Sequence, residues 1–146
     1  MSERNQKQML FHGAIVLFIG LLFGLPFGAA LVAGWSDESM RAWRVAHSGI
    51  VVVGLMLIAI GAVLRLLVLG HRMASCLVWS VVASAYGFTL AVLLQAVAGV
   101  RGFRATGPML NMLAFASNVV GVLGSLIGIA LTVLGAYAAL RSSPAD

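Results

Sequence analysis

Acidic side chains are scarce in this chain: four Asp or Glu residues occur among 146. None falls within the long apolar runs, which removes the intramembrane carboxylate on which proton-coupled transporters and pumps usually rely. Cysteine is scarcer still. Cys76 is alone, so no intrachain disulfide can form, and its apolar setting reads as an inert small hydrophobe. The nine Lys and Arg residues give a formal charge of +5, yet they are scattered over termini and connections instead of forming a stripe. That pattern does not indicate a nucleic-acid partner. No internal repeat or low-complexity tract occurs. The polar ends, 2–8 and 142–146, leave no room for a soluble domain beside one membrane domain over 1–146.

What the chain has instead is hydrophobicity: 62% of its residues are apolar and 9% charged, with a mean hydropathy of +1.08. Such a composition cannot fold as a soluble globule and predicts an integral membrane protein in contact with lipid. Four apolar runs, 9–35, 46–70, 74–100 and 108–140, each exceed the roughly 20 residues that cross the hydrocarbon. Arg4 and Lys7 precede the first run as in a signal peptide, but the run continues to Trp35, so it reads as a retained span. Short connections force antiparallel neighbours, giving an all-α, four-transmembrane-helix up-down bundle.

The positive-inside rule weighs Arg4, Lys7, Arg72 and Arg141, with Arg65 nearby, against Arg41, Arg44, Arg101 and Arg104. By a narrow margin it places both termini in the cytoplasm, which for a bacterial protein means an inner-membrane location. Arg65 is close enough to the end of the second span to snorkel outward. Gly20, Gly24 and Gly28 in the first span, and Gly124 and Gly128 in the fourth, have the spacing that lets backbones approach within a subunit or between subunits. Pro26 should kink the first span near its centre.

The most usable metal ligand is His47, read as lying on the first turn of the second span after Trp43-Arg44-Val45-Ala46. A neutral imidazole there can hold a haem iron from one side, with Trp43 at interface depth and Arg44 paired to a propionate. The competing reading is that Trp, Arg and His merely mark the headgroup level. Counting helix rise puts His12 and His71 near the opposite face, roughly 30 Å or more from His47. One subunit then cannot clamp a haem between His47 and another histidine, and an open axial site favours chemistry or gas binding. His12 and His71 themselves read as interfacial residues, with a shared metal as the alternative. At the depth of His47 the other spans bring Gln95, Asn111 and Arg101, a polar mouth for a cofactor, with Arg104 beside it. Deeper lie Ser84, Tyr86, Thr89, Ser117 and Asn118. Such groups either bond helices together or orient a substrate.

His12-Gly13, Leu21-Leu22-Phe23-Gly24, Trp43 with Ala46-His47-Ser48-Gly49, and Gly87-Phe88 together resemble the styrene oxide isomerases. These are four-helix membrane proteins that bind haem b and convert aryl epoxides to aldehydes. The resemblance runs over most of the chain and is most specific around His47. It implies that His47 is the axial haem ligand and that ferric iron acts as a Lewis acid on the epoxide oxygen. Opening of the C–O bond and hydride migration then give a carbonyl compound without net redox change. It also implies a homotrimer, an apolar epoxide as substrate, and Tyr86 or Thr89 with Asn118 orienting it. Two positions depart from the family: its pocket asparagine, six residues after the histidine, is Val53 here, and its pocket tyrosine aligns with Thr89, although Tyr86 lies one turn earlier. The alternatives are a noncatalytic membrane haem protein for gas sensing or electron transfer, and a haem-free accessory protein.

Overall fold

The computed structural model describes residues 3–142. They form α1 (Glu3–Leu22), α2 (Gly24–Ala33), α3 (Asp37–Val63), α4 (His71–Ala98) and α5 (Met109–Ser142), with a 3-10 turn at Leu64–Leu66. No strand occurs among the described residues. Four helical spans are long and apolar enough to cross a membrane, as the composition predicts. Of the polar ends, residues 2 and 143–146 lie outside the described residues.

The first span is two helices because of Pro26. Proline has no N–H for the carbonyl of Leu22, four residues earlier, and its ring crowds that carbonyl, so the regular ladder fails there. The helix breaks at Phe23, the residue between α1 and α2. This interruption leaves the last turn of α1 with carbonyls that need other partners.

The second span differs from its expected bounds. It starts at Asp37, not near residue 46. Ser36 caps it, its Oγ accepting from the Ser39 N–H at 3.3 Å, and Asp37 and Glu38 occupy the first turn. Acidic side chains there favour the positive end of the helix dipole, so the polar stretch read as a connection is helical. Arg65 lies at the end of this span, exposed in the 3-10 turn. The first, third and fourth spans begin or end a few residues from the apolar runs, since helices extend into the polar interface.

Packing is closest between α1 and α3 and between α4 and α5. Small residues make this so. A Cβ on Gly54 would stand 2.5 Å from the Leu17 backbone nitrogen, and one on Gly20 would stand 2.6 Å from that of Val51. In α5 every buried residue is Ala, Ser or Gly. Gly124 meets the Ser80 carbonyl, and Ser84 Oγ donates to the Gly121 carbonyl at 2.6 Å. The larger core side chains, Met9, Val16, Ile50, Leu57, Leu64, Leu77 and Val78, fill the space between the two pairs. The outer faces carry Phe18, Leu25, Val32, Leu126 and Leu140, which are exposed and suited to lipid.

Candidate cofactor and substrate site

His47 stands ten residues beyond Asp37, the first residue of α3, and is half-buried against the first span. Its Nδ1 lies 2.8 Å from the Gly20 carbonyl. A carbonyl can only accept, so Nδ1 carries the proton and donates, and Nε2 keeps its lone pair. Metal-binding histidines are commonly held in this way, with the other ring nitrogen fixed by a carbonyl. Gly20 belongs to the last turn of α1, the turn that the Pro26 break deprives of partners. Proline, broken helix, available carbonyl and fixed tautomer therefore form one chain of causes.

Two further residues hold the ring. Phe27 stacks on it with centroids 6.3 Å apart and planes 21° from parallel. A Cβ on Gly24 would stand 3.1 Å from both Nδ1 and Cε1, so the imidazole occupies the space that a side chain there would take. Gly28, one turn further, has nothing within 4 Å of its Cβ position, which leaves room beside the ring on α2. Trp43 packs edge-on to Phe23 at 5.9 Å, on this same side of α3. Arg44 is exposed, and at about 100° per residue it lies within roughly 60° of His47 around the helix.

The polar mouth expected around His47 is divided in the structure. Gln95 and Arg101 line a cleft of about 590 Å³ with Arg41, Ala42 and Val45. Val45 precedes His47 by two residues, about 200° around α3, so within one chain this cleft opens on the other side of the helix from the imidazole. Asn111 is taken up by the connection between α4 and α5. Its Oδ1 accepts from the Gly102 N–H at 2.9 Å, and its Nδ2 donates to the carbonyls of Arg104 at 2.9 Å and Thr106 at 2.7 Å. Asn118 Nδ2 donates to the Gly102 carbonyl at 3.0 Å, so it fastens the same segment. Gly102 has φ of +63° and lies against Ala114 and Asn118, a combination that only glycine meets without strain.

Thr89 and Tyr86 also have partners away from His47. Thr89, buried, donates Oγ1 to the Ala85 carbonyl of its own helix at 2.7 Å. Tyr86 Oη lies 3.0 Å from His12 Nδ1. His12 is ringed by Phe11, Trp79 and Tyr86 in edge-to-face contacts, a cluster that joins α1 to α4. The sequence showed both polar residues but not their pairing, because that depends on the relative height of two helices. Val53, at the family's asparagine position, packs against the core.

The separation of His12 from His47 is shorter than helix counting from the span ends predicts. His47 docks on Gly20, eight residues or roughly 12 Å of helix rise beyond His12. The reason is the early start of α3, which sets His47 well inside its span. The gap still exceeds what one iron atom can bridge. No group of three His, Cys, Asp or Glu side chains is placed to share a metal among the described residues, so His12 and His71 do not gather a further such ligand. The sequence reading also missed Gly24 and Phe27 as the seat of the imidazole, although Gly24 two residues before Pro26 was the available signal.

Compared with known proteins, residues 5–137 match the sequence model of a family described as styrene oxide isomerase. No curated protein matches the chain.

Proposed function

The chain belongs to the styrene oxide isomerase family, and on that premise we propose that it is a membrane isomerase using haem b on His47 to convert an apolar epoxide to a carbonyl compound. The observation that carries this reading is the bond from His47 Nδ1 to the Gly20 carbonyl, which leaves Nε2 ready as a ligand. The surrounding residues fit the group: Phe27 supports the ring, Gly24 and Gly28 keep α2 free of side chains beside it, and Arg44 is available to a carboxylate. When bound, ferric haem supplies a Lewis acid for the epoxide oxygen.

The chain's own part is placement and dryness. His47 would hold the haem iron through Nε2, its imidazole kept in place by the bond to Gly20. Phe23, Phe27 and Trp43 give that side of the bundle an apolar wall, which excludes the water that would trap a cationic centre as a diol. With Val53 in the core and the Thr89 hydroxyl bound to its own helix, the family's two polar substrate contacts are not reproduced at those positions. Substrate selection then rests on shape and apolar contact, which favours an aryl or other apolar epoxide. A homotrimer in the bacterial inner membrane, termini in the cytoplasm, completes the proposal.

The test is turnover by detergent-purified protein loaded with haem, over a panel of aryl and alkyl epoxides without reductant, with products separated by gas chromatography. The isomerase reading expects carbonyl product from at least one epoxide and none from haem alone. Stoichiometric haem with no product over the panel would support the second reading, a noncatalytic haem protein for gas sensing or electron transfer. The changes at Val53 and Thr89 are what favour it.

A further inference from the structure

The connection between α4 and α5 folds back beside the first turns of α5 and leaves two cavities that meet at Phe103. One, of about 530 Å³, is lined by Arg101, Phe103, Arg104, Thr106 and Asn111. The other, of about 330 Å³, follows Phe115, Asn118, Val119, Val122 and Leu123 under Phe103. Those α5 positions are three and four apart, so they form one stripe of the helix. Neither lining holds a carboxylate. Arg101 and Arg104 make no ion pair among the described residues, and the Asn111 amide is spent on the backbone of the connection. The first cavity therefore offers two unpaired guanidinium groups beside the Thr106 hydroxyl.

Asn118 in the second cavity shows a separate deficit. It is half-buried, and its Nδ2 makes one bond, to the Gly102 carbonyl at 3.0 Å. An amide nitrogen carries two N–H groups, so one of them has no acceptor among the described residues. Its neighbours along the groove, Val119, Val122 and Leu123, are exposed on the lipid-facing side of the span. A donor left unpaired there has no water to turn to, which is costly. The hydrogen bonds fix the order of these features. Arg104 is tied at the level of Asn111, Asn118 lies seven residues or roughly 10 Å of helix rise deeper, and Val122 lies one turn deeper again. Cation pair, amide donor and apolar stripe follow one another as phosphate, ester carbonyl and acyl chain do in a phospholipid.

We propose that this face of α5 binds one anionic glycerophospholipid. Arg101 and Arg104 hold its phosphate, the second N–H of Asn118 donates to an ester carbonyl, and an acyl chain lies along Val119, Val122 and Leu123. Paired guanidinium groups suit a phosphate, and they disfavour a headgroup that brings its own cation. Free phosphate would satisfy the arginines and leave both the amide and the groove without a partner. The proposal stands whatever His47 binds, because it uses neither the first span nor the imidazole.

The experiment is native mass spectrometry of the full-length chain released from detergent after titration with phosphatidylglycerol, its dialkyl ether analogue, or phosphatidylcholine. Wild type should retain phosphatidylglycerol about tenfold better than phosphatidylcholine, and about fivefold better than the ether analogue, which lacks the carbonyl. Arg101→Gln/Arg104→Gln should lose most of the headgroup preference. Arg4→Gln/Arg72→Gln, at the other end of the bundle, should keep it. Val122→Trp fills the groove and should weaken retention of both ester lipids, with circular dichroism showing an unchanged helical signal. The ether analogue tests the Asn118 contact on unaltered protein, so that arm does not depend on any variant folding. An unchanged headgroup preference in the Arg101→Gln/Arg104→Gln protein, or equal retention of ester and ether lipid by wild type, would overturn the site. Displacement of the lipid by millimolar inorganic phosphate, with Val122→Trp behaving as wild type, would overturn it in favour of a free anion.

Discussion

His47 on α3 donates from Nδ1 to the Gly20 carbonyl of α1, 2.8 Å away, and this one bond decides which ring nitrogen faces outward. It ties the histidine's chemistry to the break at Phe23, because an unbroken first span would hold that carbonyl in its own ladder.

Gly24 should be essential to this arrangement although it carries no functional group. A Cβ there would press on the imidazole at 3.1 Å, and the two further methyl carbons of valine would displace the ring. Gly24→Val is therefore expected to lower haem content severalfold in purified protein while circular dichroism retains the helical signal. Full haem content in the variant would show that the ring is free to bind elsewhere.

Tyr86 and Thr89 should respond differently to loss of their hydroxyls. Tyr86→Phe leaves His12 Nδ1 without its partner between α1 and α4, at a cost of about 1–2 kcal/mol. Thr89→Val removes a bond to the same helix, and its cost should be under about 1 kcal/mol. Thermal unfolding in detergent measures the difference. If instead Thr89 addresses substrate, Thr89→Val would leave unfolding unchanged and lower epoxide turnover.

The glycines fall into two classes that mutation should separate. Gly54→Leu forces a side chain into the Leu17 backbone, where a Cβ alone would stand at 2.5 Å, and overpacking of this kind costs about 1–3 kcal/mol. Gly49 has nothing within 4 Å of its Cβ position, so Gly49→Ala should be neutral or stabilising by up to about 1 kcal/mol. Detergent melting curves of the two variants give the comparison directly.

Much of the fold was legible because the membrane imposes strict demands on sequence. Four apolar runs without a carboxylate had to become four spans, and Pro26 had to break the first. What stayed hidden depends on relations between helices. The segment 37–45 looks like a polar connection, yet Ser36 caps it and its two acids suit a helix start, so His47 lies deeper than expected. The amides of Asn111 and Asn118 read as site groups, but Gly102 at positive φ creates a loop whose backbone needs them. Gln95 and Arg101 line a cleft on the other side of α3 from His47, since counting rise gives height and leaves rotation open. The resemblance around His47 singled out the candidate ligand, whereas the Gly20 carbonyl that orients its ring emerges only from the packed helices.

The most direct test of the proposed cofactor site is the absorption spectrum of the detergent-purified full chain, wild type beside His47→Ala, each expressed with ample haem and recorded oxidised and after dithionite. A Soret band in wild type that disappears in a variant of unchanged helical content is the predicted result. A band of equal strength in both proteins, or none in wild type, would contradict it.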